Sequence, residues 1–168
     1  MATSADDEGA HLAEIERVYR NRLPEFRRVA AAILGDRDAA RDAVQEGFAK
    51  AVKERASFRR EGPLEAWIWR IVVNSAREHL RRRSGMPAEV AQIEQAVNGS
   101  GESETDARVH VALSLLSERQ RLVLFLRYYA DLDYRTIAGA LDIAPGTVGV
   151  TLNTVHTKLR RLLEEVPQ

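Results

Sequence analysis

The sequence predicts an all-α protein with two small helical domains, an N-terminal helical bundle and a C-terminal helix-turn-helix domain, joined by a flexible acidic linker. Apolar residues recur at helical spacing in two blocks, and no strand-like alternation interrupts them. The blocks place the domains at 11–84 and 107–166. Residues 85–106 between them are rich in Gly, Ser and acidic residues, as flexible linkers are, apart from a candidate short helix at 88–97.

Composition argues against several classes of protein. Cysteine is absent, which leaves no disulfide framework or thiolate site and suits a reducing cytoplasm. The four histidines lie far apart in sequence, and we find no metal-ligand motif, phosphate-binding loop or nucleophile elbow. We therefore expect no enzyme, no metal and no cofactor. No apolar run approaches the ~20 residues that span a bilayer, and the polar, acidic N-terminus is unlike a secretory signal.

The formal net charge of zero hides an uneven distribution. Residues 1–83 carry a net charge of +3, residues 84–116 a net charge of −4, and residues 117–168 a net charge of +1. Attraction to phosphates supplies most of the non-specific affinity of proteins for nucleic acid. Any DNA binding by this chain is therefore expected to be local, weak or assisted by a partner.

Three helices are predicted in the N-terminal domain. The first follows Pro24, which a helix tolerates near its start, and ends at Gly35. Asp36 caps the second, and a basic loop at 57–63 leads to the third. Apolar stripes contain Phe26, Val29, Ala30, Ile33 and Leu34 in the first helix and Ala40, Val44, Phe48, Ala51 and Val52 in the second. Helices with such short connections fit a compact bundle.

The third helix, over 64–83, is predicted to have two different faces. Its apolar stripe contains Leu64, Trp67, Ile68, Ile71, Val72 and Leu80, and its polar stripe contains Arg70, Asn74, Arg77 and Arg81. Trp69 and Val73 border the polar stripe. Arginines, an amide and an aromatic ring along one ridge are groups that bind phosphates, base edges and unstacked bases. The alternative is a solvated helix whose basic C-terminal end suits the helix dipole.

Capping signals divide the C-terminal domain into helices. Ser117 and Gln120 fit a capping box, and Asp133 is placed to cap a short helix at 134–141. After a tight turn, Pro145 is typical of the first residue of a helix, here 145–163. Two helices joined in this way have the form of a helix-turn-helix.

Both blocks resemble one family. Segments 116–129, 132–141 and 145–148 resemble the promoter-binding C-terminal domain of extracytoplasmic-function sigma factors of the sigma-70 family. Segment 35–48 is similar to the core-polymerase-binding helix of that family, and segments 58–60 and 64–83 are similar to its promoter-melting loop and helix. The resemblance implies an RNA polymerase sigma factor. Such a factor binds core polymerase and directs promoter-specific transcription initiation by reading minus-thirty-five DNA and melting minus-ten DNA.

Residues that match the family's motifs inherit candidate roles. On the predicted second helix, Asp42, Gln45 and Glu46 are implied to meet the beta-prime coiled coil of the polymerase, the alternative being a solvated acidic face. Asn74 and the loop before the third helix are implied to hold an unstacked base, while arginines contact the DNA backbone. Trp67 is assigned to the core. The implied minus-ten residues are Phe58, Arg59, Arg60, Trp69, Arg70, Asn74, Arg77, Arg81, Arg82 and Arg83.

The predicted recognition helix departs from the family. The implied minus-thirty-five residues are Arg135, Thr147, Gly149, Val150, Thr151, Asn153, Thr154 and Lys158, and no Lys or Arg occurs between the first and the last of them. We therefore expect weak, salt-sensitive contacts, with the polymerase or an accessory protein supplying affinity; alternatively, this surface binds protein. Asp142 stands where the family's turn usually has Gly, and Asp tolerates the left-handed conformation. Ala144 replaces a capping Ser, which weakens the helix start by about 1 kcal/mol.

The resemblance also implies partners. These are promoter DNA and core RNA polymerase, contacted through its beta-prime coiled coil and beta flap; an anti-sigma factor is a further candidate that nothing in the sequence identifies. The acidic linker resembles the family's connector toward the active-site cleft, or it is a plain tether. Two other classes remain open. One is a stand-alone helix-turn-helix regulator, and the other is an adaptor that keeps the polymerase-binding block and has lost DNA reading.

Overall fold

The computed structural model describes residues 9–85 and 104–164, and all regular structure within these ranges is helical. The helices are α1 (Leu12–Leu34), α2 (Arg37–Lys53), α3 (Leu64–Ser84), α4 (Glu104–Ser114), α5 (Glu118–Tyr128), α6 (Tyr134–Leu141) and α7 (Pro145–Glu164), with a 3-10 turn at Arg55–Ser57. The all-α prediction is confirmed. Most of the predicted linker, with its candidate helix at 88–97, lies outside the described residues.

Helices α1, α2 and α3 form a bundle around large apolar side chains. Phe26, Trp69 and Leu80 are fully buried in its core. The predicted boundary between α1 and α2 is confirmed. Gly35 ends α1 with a left-handed φ of 66°, and the Asp36 carboxylate accepts hydrogen bonds from backbone N–H groups in the first turn of α2. Gly47 permits the close contact of α2 with α3, because a Cβ there would lie 2.8 Å from Cγ2 of Val72.

The predicted start of the first helix was wrong. Helix α1 begins at Leu12, where the Glu14 carboxylate accepts a hydrogen bond from the backbone N–H of His11. Pro24 therefore lies in the helix interior. Proline has no N–H to donate to the carbonyl group four residues earlier. Pro24 lies on the exposed side of α1, which positions the carbonyl group that loses its partner for hydration.

The C-terminal domain contains the predicted helix-turn-helix. Ser117 and Gln120 form the capping box of α5, Asp133 caps α6, and Pro145 is the first residue of α7. Helix α6 ends at Asp142, which takes the left-handed conformation with φ 55°. Buried Val148, Leu152 and Val155 face the core of this domain, so the exposed side of α7 is free to carry the candidate recognition residues.

The two domains pack directly against each other, with α6 lying on α3. The contact is tight, because a Cβ on Gly139 would lie 2.9 Å from the Cβ of Ala66. A second contact joins α1 to the end of α5, where Arg22 Nη2 donates to the carbonyl oxygen of Ala130 at 2.8 Å. A flexible linker does not predict how the two domains pack. This packing determines what surrounds the candidate DNA-reading residues.

Candidate nucleic-acid interface

The polar ridge of α3 faces the C-terminal domain. Arg70, Asn74 and Arg77 follow one another at the predicted helical spacing and line a cavity of about 610 Å³ between the domains. Glu118 and Asp142 line the same cavity from the C-terminal side. The structure thus brings together three of the predicted minus-ten residues and places acidic groups opposite them.

Arg77 makes the most extensive ion pair of this cavity. Its Nε and Nη2 atoms donate to the two carboxylate oxygens of Glu118, with an Nη2–Oε2 distance of 3.0 Å. Its Nη1 atom lies 3.4 Å from Oδ1 of Asn74. A bidentate guanidinium–carboxylate pair is among the stronger polar contacts in proteins, and it occupies the atoms with which Arg77 would bind phosphate.

Arg70 holds the end of α6. Its Nε and Nη2 atoms donate to the carbonyl oxygen of Gly139 at 3.1 and 2.8 Å, and Nη2 lies 3.4 Å from Oδ1 of Asp142. Carbonyl groups in the last turn of a helix lack partners within the helix and carry partial negative charge. The guanidinium group satisfies one of them, so Arg70 is also engaged by the C-terminal domain.

Trp69 and Phe58 are core residues, which corrects their assignment to the DNA surface. Trp69 is fully buried, stacks on Phe26 with ring centroids 3.8 Å apart, and donates from Nε1 to Glu65. Phe58 is 7% exposed and packs against Trp67. Neither ring is available to stack on a base in this arrangement.

The buried face of α3 is rotated relative to the predicted stripe. Trp69 and Val73, expected at the border of the polar stripe, are buried, whereas Leu64, Trp67 and Ile71 are only partly buried. The reason is that α3 is covered on two sides, by α1 and α2 and by the C-terminal domain. Apolar residues surround much of this helix, so their spacing alone could not locate the centre of the buried face.

The loop before α3 contains two arginines in different environments. Arg59 is exposed. Arg60, in a left-handed conformation with φ 57°, binds the Glu14 carboxylate with an Nη2–Oε2 distance of 2.9 Å. The hydrogen bond from Arg60, followed by that from the His11 backbone, lowers the pKa of Glu14 from 4.5 to about 2. Arg60 therefore ties the loop to α1, and Arg59 is an accessible cation beside it.

Three arginines occupy the C-terminal end of α3, as predicted. Arg81 is exposed. Arg82 lies 3.4 Å from Glu46, and Arg83 lies 3.4 Å from Asp36 at the start of α2. The long contacts of Arg82 and Arg83 join partly exposed groups and are weak, so these two side chains can exchange them for phosphates, and Arg81 is already exposed.

The candidate polymerase-binding residues of α2 are not equivalent. Asp42 and Gln45 are exposed. Glu46 instead contacts α3, with its carboxylate 2.6 Å from Nε2 of His79 and 3.0 Å from Nζ of Lys50. The hydrogen bond from His79, followed by that from Lys50, lowers the pKa of Glu46 from 4.5 to about 2. Glu46 therefore braces α2 against α3.

The candidate minus-thirty-five surface is mostly uncharged. Val150 is 69% exposed, and Asn153 and Thr154 are exposed beside it, while Thr147, Gly149 and Thr151 are partly buried. Arg135 is exposed at the start of α6. Lys158 donates from Nζ to the carbonyl oxygen of Leu115 at 2.7 Å, so one of the two cations that flank this surface is occupied.

Sequence reasoning missed the residues that join the domains. Glu118 and Gly139 contact the α3 ridge, and Arg22 anchors the second contact. A single sequence carries no signal that pairs residues so far apart along the chain. The one unusual residue at this contact is Asp142, which departs from the family's usual turn. Within residues 9–85 and 104–164, we find no group of side chains suited to a metal ion and no helix long and apolar enough to cross a membrane.

Two family models match the chain. The sigma-70 region 2 model covers residues 18–85, and the sigma-70 region 4 model covers residues 106–166. The first therefore contains α3 and its ridge, and the second contains the helix-turn-helix.

Characterised relatives align with most of the chain. RNA polymerase sigma-H factor of Pseudomonas aeruginosa is 32% identical over 129 residues, 67% of each chain. RNA polymerase sigma factor SigV of Bacillus subtilis is 29% identical over 141 residues, 83% of this chain and 81% of that protein. ECF RNA polymerase sigma factor SigM of Mycobacterium tuberculosis is 27% identical over 159 residues, 92% of this chain and 81% of that protein.

Two solved structures have the same fold. One is the sigma factor RpoE in complex with the anti-sigma factor NepR from Bartonella quintana, with a TM-score of 0.64, 22% identity, and coverage of 93% of this chain and 100% of that chain. The other is CnrH in complex with the cytosolic domain of CnrY, with a TM-score of 0.68, 20% identity, and coverage of 97% and 94%.

Proposed function

Because this chain belongs to the extracytoplasmic-function sigma factors of the sigma-70 family, and so binds core RNA polymerase and directs promoter-specific transcription initiation, we propose specific roles for its surfaces. The observation that carries the proposal is the ridge of α3, where Arg70, Asn74 and Arg77 line one cavity. The minus-ten role falls to this ridge, the exposed Arg59 and the basic end of α3. Trp69 and Phe58 support it from the core.

The ridge combines the two functions that promoter melting requires. Unstacking a base costs a few kcal/mol, which a binder recovers by holding the extruded base. Asn74 is exposed and carries both a donor and an acceptor, so its amide can read a base edge. Arg77 and Arg81 follow along the helix and bind the backbone of the same strand. Base reading and strand holding therefore lie on one rigid helix.

We assign polymerase binding to the exposed face of α2. Asp42 and Gln45 are accessible there to the beta-prime coiled coil, where charge complementarity sets register and association rate. Glu46 acts indirectly, because its carboxylate is engaged by His79 and Lys50. The C-terminal domain contacts minus-thirty-five DNA and the beta flap, with weak and salt-sensitive DNA affinity because α7 offers Thr and Asn in place of cations.

We further propose that the domains extend over 11–84 and 107–166 with a linker at 85–106. We also propose that the protein acts in the cytoplasm, where the polymerase is, and that it catalyses no reaction of its own. The similar sigma factor RpoE binds the anti-sigma factor NepR, and we infer that a protein inhibitor of this kind also restrains the present chain.

Promoter opening by Asn74→Ala tests the proposed role of α3. With purified core polymerase and a promoter selected from a genomic run-off library, permanganate reactivity of melted thymines should fall at least about fivefold, as expected for loss of a base-edge contact of about 1–3 kcal/mol. Asn21→Ala removes an exposed amide from α1 and serves as the matched control. Both variants should retain core polymerase binding. Normal opening by Asn74→Ala would reject the assignment.

A further inference from the structure

The loop between α2 and α3 is held by the beginning of α1. Glu14, in the first turn of α1, forms a bidentate ion pair with Arg60, with an Nη2–Oε2 distance of 2.9 Å and an Nη1–Oε1 distance of 3.3 Å. Just before α1, the backbone N–H of Ala10 donates to the carbonyl oxygen of Arg55 at 2.9 Å. Two separate contacts therefore join this part of the chain to the loop.

We propose that residues 9–14, which we call the N-terminal anchor, hold residues 58–63, which we call the base-holding loop, in the conformation that receives an unstacked base. Glu14 is then a positioning residue, because it acts through Arg60. This inference rests on the proposed minus-ten role of the loop and of α3. It adds that the geometry of the minus-ten site is set from α1, which contributes no residue to that site.

Arg60 needs support, because its backbone has a conformation that L side chains rarely adopt. Its φ is 57°, and a non-glycine residue keeps such a conformation where surrounding contacts compensate for its cost. The ion pair with Glu14 is one such contact. The guanidinium carbon of Arg60 also lies 5.9 Å from the centre of the Phe58 ring, within the range of a cation–π interaction. Loss of the Glu14 carboxylate should therefore release the backbone at Arg60 toward commoner conformations.

The second contact of the N-terminal anchor depends on a glycine. Gly9 has a φ of 105°, and a Cβ at that position would lie 2.8 Å from the carbonyl oxygen of Arg55 and 2.9 Å from Cα of Ala56. Both are backbone atoms, which cannot rotate aside as the end of a side chain can. Ala10, next to this glycine, is 6% exposed. The anchor is thus packed against the turn that leads into Phe58, and a larger residue at position 9 would displace it.

Fixing the loop at two points restricts the residue between them. Phe58 is buried and packs against Trp67 of α3, and Arg60 is bound to Glu14. Arg59 lies between these two fixed residues and is exposed. A binding site that is already ordered loses less conformational entropy when its ligand arrives. The anchor therefore favours capture of a base that has left its stack.

Glu14→Gln tests the ion pair without disturbing the start of the helix. Either Glu or Gln at this capping position accepts a hydrogen bond from the backbone N–H of His11, but only the carboxylate forms an ion pair with Arg60. Glu16→Gln is the matched control, because it breaks an exposed ion pair with Arg20 on the same helix. Both variants should bind core polymerase as the wild type does.

The readout is the affinity of the holoenzyme for single-stranded oligonucleotides of the melted promoter strand, each lacking one base. Fluorescence anisotropy compares every abasic strand with the intact strand. In the wild type, removing the base that the loop holds should lower affinity at least about fivefold. Glu14→Gln should reduce this penalty at least about threefold, because a smaller fraction of molecules has the loop in place. Penalties at the other positions should not change, and Glu16→Gln should reproduce the wild-type pattern.

A change confined to one position separates positioning from general damage. A variant that is merely less stable loses affinity for every strand by the same factor, so its pattern of penalties is that of the wild type. The wild-type pattern in Glu14→Gln would overturn the inference. Gly9→Ala should reduce the same single penalty, whereas Gly146→Ala should not, because nothing lies within 4 Å of a Cβ at position 146.

Arg60→Ala tests whether Glu14 acts through Arg60. If it does, adding Glu14→Gln to Arg60→Ala should cause no further change in the pattern, because the effects of residues that act as one unit are not additive. Additive effects of the two substitutions would contradict the proposed route.

Arg59→Ala and Asn74→Ala separate failure of the N-terminal anchor from failure of the proposed function. If either variant lowers affinity for the intact strand while Glu14→Gln keeps the wild-type pattern, the minus-ten assignment holds and the anchor is wrong. If none of the three substitutions changes affinity or pattern, the minus-ten assignment is wrong as well, and the inference falls with it.

Discussion

Two faces of the N-terminal domain differ in how far their polar side chains are bound by the rest of the chain. The outer face of α2 exposes Asp42 and Gln45, whereas the ridge of α3 has Arg70 and Arg77 bound by the C-terminal domain. Both faces are built on helices of the same bundle, and both match sigma-70 region 2. The difference teaches that candidate binding residues of one bundle can differ in how far they are already engaged, because tertiary contacts decide which side chains are bound within the chain.

The largest expected effect concerns the core beneath the α3 ridge. Trp69→Ala should lower the free energy of unfolding by about 3–5 kcal/mol, since it removes a fully buried indole that stacks on Phe26. Trp67→Ala should cost clearly less, because Trp67 is only partly buried. Urea unfolding followed by circular dichroism measures both. Equal losses would mean that the two tryptophans have been assigned to the wrong environments.

The next effect concerns the exposed face of α2. Asp42→Ala combined with Gln45→Ala should weaken binding to core polymerase at least about tenfold, an effect of about 1.4 kcal/mol that is ordinary for interface residues. Affinity for single-stranded DNA should not change, because the substitutions lie on α2, away from the ridge of α3. Glu54→Ala, at the exposed end of α2, is the control. Normal polymerase affinity in the double variant would place the polymerase site elsewhere.

A smaller gain is expected from charging the recognition helix. Gly149→Lys with Thr151→Arg should tighten binding to duplex DNA several-fold at low salt, and each added phosphate contact should steepen the salt dependence by about one unit. There is room for the lysine, since a Cβ at position 149 meets Tyr134 at an ordinary 3.4 Å. A gel shift with Thr157→Lys as control checks this. No gain would favour a protein-binding role for α7.

The smallest effect is the pH dependence of the brace between α2 and α3. The pKa of Glu46 is lowered from 4.5 to about 2 by His79 and Lys50. A lowered pKa stabilises the fold above pH 4.5, and this contribution disappears as pH falls toward 2. Glu46→Gln should therefore cost up to about 1 kcal/mol at pH 7, since the group is partly exposed, and progressively less below pH 4.5. A constant cost across this range would exclude the ionised brace.

Local features of the fold were predictable because local chemistry decides them. Asp36, Ser117 and Asp133 satisfy backbone N–H groups within three residues of themselves, so capping signals located three helix starts. Asp142 took the left-handed conformation expected of a short polar residue at a turn. The start of α1 was missed because Pro24 is typical of a first turn, while His11 and Glu14 give a weaker capping signal.

The candidate site was less predictable, because its environment depends on non-local packing. The period of α3 identified the ridge of Arg70, Asn74 and Arg77, which line one cavity. This helical spacing could not show that Trp69 stacks on Phe26 or that Glu46 contacts His79. Nor could it show that Glu118 pairs with Arg77. The two residues are 41 positions apart, and no local sequence pattern links them.

The distance between the domains tests the central claim most directly. Because the chain lacks cysteine, spin labels at Ala13→Cys on α1 and Thr157→Cys on α7 report it by double electron–electron resonance. We predict one narrow distance distribution in the free chain and a longer distance once core polymerase is bound. A free chain whose distribution is already as long and broad as that of the polymerase complex would contradict the claim that the C-terminal domain covers α3.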